Sequence, residues 1–446
     1  MQELDLSTQK LQGRPPFECI ALLLQGGGAL GAYQAGVYEA LSEVQLYPDW
    51  VAGISIGAIN SALIAGNPPE ARVEKLREFW ELVTENPVWG PLPNQAGAIS
   101  QPLRDLTDQM IAMAAMNMSV ASARPAAEHA EELRNLGQRL LANPLAAWLS
   151  DPEFFAPRGE LARGFANQMS AGLALMQGAA AFFRPRPIIP WLQAIGTLEA
   201  TSYYDTASLK PTLERLVDFD RINAGGMRFS VGAVNVGTGN FVYFDNKVHT
   251  IEPEHVMASG ALPPGFPAIE IEGEHYWDGG LVSNTPLQWV LDSEPRQDTL
   301  AFQVDLWSAR GTFPRNMAEV ATRQKEIQYS SRTRANSDHF RYLQKIRNTL
   351  SRLLERLPED LKTSPEFAVL DPLACPKVYN LVQLIYRSKQ YEGDSKDYEF
   401  SRASMEDHWR AGYHDTIRTL RHPEVLQRPK NREGVFIFDL GQDGRE

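Results

Sequence analysis

Two glycine turns constrain this chain more than any other feature. Each lies between an apolar, strand-like run and a helical pattern. Residues 20–24 (IALLL) form an unbroken apolar run that leads into Gly26-Gly27-Gly28-Ala29-Leu30-Gly31. A short apolar run bounded by glycine reads as a buried strand entering a loop. Leu30, Tyr33, Val37, Leu41 and Val44 then follow helical spacing, with Pro48 beyond the end. Residues 50–54 repeat the strand pattern, and Gly53-Ile54-Ser55-Ile56-Gly57 forms the second turn. Residues 56–65 read as a helix stopped by Gly66-Asn67-Pro68-Pro69, and Val73, Leu76, Phe79, Trp80 and Val83 mark a third. Strands and helices alternating in this way build a parallel sheet covered by helices.

Between about residues 95 and 200 the pattern changes. Alanine and methionine rise (Met110, Met113, Met116 and Met118 lie close together), and strand patterns stop until the breaker Arg184-Pro185-Arg186-Pro187. This predicts a helical insertion on the α/β body. Segments 229–236 and 241–244 flank Gly237-Thr238-Gly239-Asn240, and 269–271 and 275–277 flank Glu272-Gly273-Glu274. Both pairs read as hairpins. Segment 299–306 reads as another core strand. From about residue 310 the chain becomes charged and helical. Leu343, Ile346, Leu350, Leu353 and Leu357 predict an amphipathic helix, and 378–385 predicts one more strand. The expected organisation is a tail over 1–16, an α/β domain over 17–310 carrying the insertion, and a mainly helical extension over 311–446.

Composition removes several function classes. A chain of 446 residues buries a large core without disulfide or metal staples. Its two cysteines, Cys19 and Cys375, have no zinc-site spacing. The 43 basic residues against 55 acidic ones give a net charge of −12, which argues against a general nucleic-acid binder. No uncharged apolar run reaches the ~18 residues of a membrane span. The first residues lack a secretory signal pattern, so a cytoplasmic location is expected. The basic stretch Arg332, Arg334, Arg341, Lys345, Arg347, Arg352 and Arg356 has two readings: contact with anionic headgroups, or a solvated face paired to nearby acids. The Ala/Met-rich insertion likewise reads as a lid or docking surface, or as helices packed on the core.

The turns carry the chemistry. Ser55 sits in a G-x-S-x-G between strand and helix, where Gly53 and Gly57 let the backbone bend sharply. The helix that follows points its N-terminal N–H groups at the hydroxyl. The first glycine loop can supply N–H donors to an anion. Gly26, Gly28 and Gly31 also satisfy a dinucleotide-binding fingerprint, but that reading needs an acid at the end of the second strand, and Ile54-Ser55 stand there instead. An oxyanion hole beside Ser55 accounts for both loops together. Trp277-Asp278-Gly279-Gly280 presents a carboxylate on an open turn. A hydrolytic serine needs a base. Of eight histidines, His275 is the most suggestive, yet strand alternation turns it away from Asp278. A non-catalytic protein binding an acyl or phosphate ligand is the alternative of another class.

In their order, GGGALG, GISIG and the DGG turn resemble those of patatin-like phospholipases, and ASGALPPGFP at 258–267 is similar to the family segment before its aspartate. The resemblance spans roughly residues 20–306 outside the insertion. It implies a three-layer α/β/α fold with a mostly parallel sheet, and a serine–aspartate dyad without histidine. Ser55 would be the nucleophile and Asp278 the base. Gly27 and Gly28 would donate to the oxyanion, Gly53 and Gly57 would shape the nucleophile turn, and Gly279 and Gly280 would shape the aspartate turn. No metal or organic cofactor is implied. The expected substrate is a phospholipid or another long-chain ester, met at a membrane or particle surface. The chain departs from the family at Leu30, where a basic residue is usual. That departure favours an alternative substrate, an intracellular polyester or neutral lipid particle.

Overall fold

The structure is a computed structural model that describes residues 13–85, 160–179, 181–330, 333–389 and 391–440. Most of the expected insertion, including its methionine cluster, lies outside these residues.

The first half follows the alternation of the sequence. Strand β1 (Cys19–Leu24) leads through the glycine loop to α1 (Ala32–Glu43), then β2 (Trp50–Ile54), α2 (Ile56–Ala65) and α3 (Arg72–Val83). Next come α4 (Glu160–Gln177), α5 (Leu209–Leu216) and α6 (Phe219–Asn223), the hairpin β3 (Arg228–Asn235) and β4 (Phe241–Asp245), and α7 (Pro253–Ser259). The second hairpin, β5 (Ile269–Ile271) and β6 (Glu274–Asp278), precedes α8 (Leu287–Asp292) and β7 (Thr299–Asp305). The remainder comprises α9 (Met317–Tyr329), α10 (Thr333–Leu354), α11 (Pro365–Leu370), β8 (Tyr379–Ile385), α12 (Arg402–Leu420) and β9 (Val435–Phe438).

Among the described residues these nine strands join one sheet in the order β9-β8-β7-β1-β2-β3-β6-β5, with β4 also paired to β3, and a separate two-stranded ladder pairs Arg184–Pro185 with Tyr204–Asp205. The run from β9 to β3 is parallel, and the two hairpins add the antiparallel pairs. This is a mixed, mostly parallel α/β sheet. Every residue of β1, β2 and β7 is buried, because helices cover both faces of a parallel sheet.

The pairing of β3 positions the site. β2 pairs with β3 as far as Ile54 opposite Gly232, and β6 begins at the next residue, Ala233 opposite Asp278. β4 pairs across Ser230 to Val234 and overlaps both neighbours. A strand has only two edges, so β2 and β6 occupy successive stretches of the same one. The end of β6 therefore meets the end of β2, where Ser55 leaves the sheet.

The C-terminal extension contributes more than helices. β8 and β9 extend the sheet beyond β7, and α12 lies against α1. The two helices approach at glycine: a Cβ on Gly36 would stand 1.9 Å from the Trp409 carbonyl oxygen, and one on Gly412 would stand 2.0 Å from that of Tyr33.

The helix α10 corrects one expectation. Ile346 and Leu353, two of its expected apolar stripe, are exposed, whereas Ser337, Phe340, Gln344, Ser351 and Leu354 are buried. Gln344 faces inward because its amide donates to the carbonyls of Cys375 and Lys377, at 3.1 and 2.8 Å. Backbone acceptors on the neighbouring loop thus outweigh a leucine stripe in setting the helix rotation. The basic stretch takes its second reading over part of its length. Arg341 and Lys345 face Glu433, and Arg347 pairs with Asp292. Among the described residues no helix is long and apolar enough to cross a membrane.

Candidate active site

Ser55 occupies a backbone conformation that a serine rarely adopts, φ 56° and ψ −124°, between β2 and α2. Such a conformation costs about 1–3 kcal/mol and persists only where its surroundings enforce it. Three contacts do so. A Cβ on Gly53 would stand 2.1 Å from the Gly57 carbonyl oxygen, and one on Gly57 would stand 2.2 Å from that of Leu24, so the turn closes only with glycine at both places. The Ser55 N–H donates to the carbonyl and the hydroxyl of Ser259, at 3.1 and 3.0 Å. Ser259 in turn donates its hydroxyl proton to the Gly232 carbonyl at 2.6 Å. Ser259 belongs to the ASGALPPGFP segment, and its hydroxyl ties the turn to β3.

Asp278 is 2% exposed and ends β6. Its carboxylate faces the Ser55 hydroxyl and accepts the Gly280 N–H, the latter at 2.7 Å. Burial raises its pKa to about 7, although these two donors pull the other way. No cation is among the causes, so the carboxyl keeps the affinity for a proton that desolvation gives it. Gly279 lets this turn pass under β3, since a Cβ there would stand 2.6 Å from the Gly232 carbonyl oxygen.

The first glycine loop lies alongside. A Cβ on Gly26 would stand 3.0 Å from the Ser55 Cβ. The Gly26 carbonyl accepts from Asn284 Nδ2 at 3.1 Å and from Trp307 Nε1 at 3.0 Å. Behind the loop, Gln25 Oε1 accepts from the N–H groups of Leu306 and Trp307, and Asn60 Nδ2 donates to the Gly31 carbonyl and to Gln34. Among the described residues, the N–H groups of Gly27 and Gly28 have no acceptor. Two free N–H groups beside a serine hydroxyl can receive negative charge that develops on a bound carbonyl oxygen. Leu30 is fully buried, so its side chain faces the core.

The structure thus brings Ser55, Asp278 and the glycine loop together. His275 is exposed on β6, apart from the buried Asp278. His249, His255, His408 and His422 have their partners elsewhere, at Asp245, Glu252, Glu392 and Glu424. Among the described residues no group of three or more His, Cys, Asp or Glu side chains could hold a metal ion. Sequence reasoning missed the supports Gln25, Gln34, Asn60 and Tyr329, and it singled out the segment that holds Ser259 without its bracing role. Their signal is weak, since a lone polar residue in an apolar segment looks the same whether or not it braces a site.

A serine on a strained strand-to-helix turn, facing a buried carboxylate on a mostly parallel sheet, places the chain among α/β proteins with a hydrolase-type serine turn. The family model for patatin-like phospholipases matches residues 22–291, more than half of the chain, and the protein belongs to that family. A second model, described as patatin phospholipase, matches residues 327–432 and covers much of the C-terminal extension. Family membership assigns a general lipid acyl hydrolase activity. No curated relative matches the chain. Among solved structures, VipD from Legionella pneumophila is similar at 13% identity and a TM-score of 0.35, over 96% of this chain and 72% of that one. That likeness is too slight to carry function across.

Proposed function

We propose that the protein is a serine acyl-ester hydrolase that works through a Ser55–Asp278 dyad and an acyl-enzyme. The observation that carries this reading is the buried Asp278 carboxylate, set opposite the Ser55 hydroxyl where the ends of β6 and β2 meet, with no cation paired to it among the described residues. An ordinary aspartate, with a pKa of ~3.9, is a poor base at neutral pH. Raised to about 7, Asp278 is matched to proton transfer near neutrality.

Asp278 takes the Ser55 proton as Oγ attacks the ester carbonyl carbon. The carbonyl oxygen becomes an oxyanion held by the Gly27 and Gly28 N–H groups. The tetrahedral intermediate collapses, the bond to the leaving oxygen breaks, and Asp278 returns the proton to that oxygen as the alcohol departs. Water then attacks the acyl-enzyme and gives its proton to Asp278. On collapse of the second intermediate, Oγ recovers a proton and the free acid leaves.

The substrate is a phospholipid or another long-chain ester, met at a membrane or lipid-particle surface in the cytoplasm. One observation favours a second substrate, a neutral lipid or polyester. Leu30 is buried, so this loop position offers a phosphate no charge.

Fluorophosphonate labelling and a soluble ester assay of wild type, Ser55→Ala and Asp278→Asn test the dyad. Labelling lost in Ser55→Ala, with turnover lost in both variants, is the expected result. Retained turnover in folded Asp278→Asn removes the aspartate from the mechanism. A panel of phospholipids against uncharged long-chain esters decides between the substrates.

A further inference from the structure

The glycine loop makes one contact that the dyad does not require. The Ala29 N–H donates to the main-chain carbonyl of Asp397 at 2.8 Å. Gly28 adopts φ 56°, and a Cβ there would stand 2.1 Å from that same oxygen. A turn of the C-terminal extension is therefore pressed against the oxyanion peptide, at a spacing that only glycine permits.

That turn is fixed by two crossed ion pairs to α9. Lys325 donates to both carboxylate oxygens of Asp397, at 2.8 and 3.1 Å, and to the Asp394 carbonyl at 2.9 Å. Its neighbour Glu326 accepts from Lys396 at 2.8 Å. Lys396, 3% exposed at its side chain, also donates to Ser388 Oγ at 2.9 Å and lies over the Trp307 ring, whose Nε1 holds the Gly26 carbonyl. The last residue of α9, Tyr329, accepts from Gln25 and Asn284 through its carbonyl. Burial raises the pKa of its phenol, and the charges of Asp397 and Asp278 add to that.

We propose that the C-terminal extension completes the active site, with the Lys325–Asp397 pair as a positioning clamp on the oxyanion peptide Gly28–Ala29. The clamp occupies the Ala29 N–H and leaves those of Gly27 and Gly28 for the substrate. It fixes their direction before the transition state forms, when fixed donors act without reorganising. Lys325 and Asp397 act through the loop and touch no reacting atom. The proposal deepens the serine hydrolase reading and rests on it for its kinetic consequence.

The test uses the full chain with Lys325→Met, Asp397→Asn, the double variant, and Lys325→Arg as the conservative control. Three measurements are made: kcat and KM on a soluble ester, amide hydrogen exchange of the peptide spanning residues 26–33, and thermal melting. A misplaced catalytic group loses on the order of 100-fold in rate. Lys325→Met is expected to lower kcat about 10- to 100-fold with KM within about twofold, and to speed exchange in the loop. The double variant is expected to lose no more than either single change, because both remove one pair. Lys325→Arg recovers most of the rate. Unchanged kcat and loop exchange in a folded Lys325→Met overturn the clamp. If Lys325→Met does not fold, Asp397→Asn decides by the same two readouts. If wild type neither labels nor turns over, the dyad reading fails, and the exchange result alone supports or overturns the clamp.

Discussion

Two buried carboxylates divide the molecule. Asp278, in the catalytic half, is 2% exposed, and Glu392, in the C-terminal extension, is 4% exposed. Burial pushes both upward, yet Asp278 reaches about 7 while Glu392 ends below its ordinary value. The difference lies in what surrounds them. Glu392 accepts the Tyr386 hydroxyl at 2.5 Å, has His408 at 3.8 Å, and feels the charge of Lys396. Asp278 has a serine hydroxyl and one backbone N–H. Around Glu392 these neighbours outweigh burial, and the carboxylate acts as a brace. Among the described residues Asp278 has no counter-cation, which suits the base proposed for it. Lysines do stand close to the site, but Lys325 and Lys396 are paired to Asp397 and Glu326.

Substitutions can break this contrast, and the largest effect is expected at the dyad. Ser55→Ala and Asp278→Asn should each lower kcat at least about 1,000-fold with the fold intact, as circular dichroism and an ester assay would report. Activity within tenfold of wild type in either folded variant would remove the functional meaning of the contrast. Next comes the turn that holds Ser55. Gly57→Ala puts a methyl against the Leu24 carbonyl and should destabilise the protein by about 3 kcal/mol, read by chemical denaturation. An unchanged midpoint would mean that the turn has room to relax.

Glu392→Gln should lower stability by about 2 kcal/mol at pH 7 with little change in kcat, the reverse of the Asp278 variant. Because the folded pKa of Glu392 is lowered, its contribution is present above the unfolded value and fades as pH falls through the folded one. The Glu392→Gln deficit should therefore shrink in acid.

Asp278 has the opposite sign. Its folded pKa is raised, so the penalty for ionising it is absent below the ordinary value of 3.8 and fully present above about 7. Asp278→Asn should consequently melt higher than wild type at pH 8, and lose that advantage at pH 4. The same ionisation should make kcat/KM fall about tenfold per pH unit below about 7. A flat profile between pH 5 and 8 would detach the base from Asp278.

Much of the fold was legible because the signals are local. Strand β2 and helix α2 have the bounds that apolar runs and breakers predict, and both hairpins fall where turn residues separate alternating segments. The helix α10 shows where such reading stops. Its leucine spacing names one face, but Gln344 turns another inward to satisfy the carbonyls of Cys375 and Lys377. The site divides in the same way. Ser55, Asp278 and the glycine loop stand out by residue type and spacing. Gln25 and Asn60 do not, because a bracing polar residue is recognised only by the group across from it.

By itself, the sequence determined the strand-turn-helix units, the two glycine turns and the identity of the groups that can react. These depend on side-chain periodicity and on backbone conformations that span a few residues. Only the tertiary structure decided that β2 and β6 share one edge of β3, and that edge sets Asp278 against Ser55. It also decided that β8 and β9 lengthen the same sheet, and that Asp397 comes to rest on Gly28. Strand partners and buried ion pairs are chosen by contacts between segments far apart in the chain. Their stability comes from joint burial, which no local pattern records.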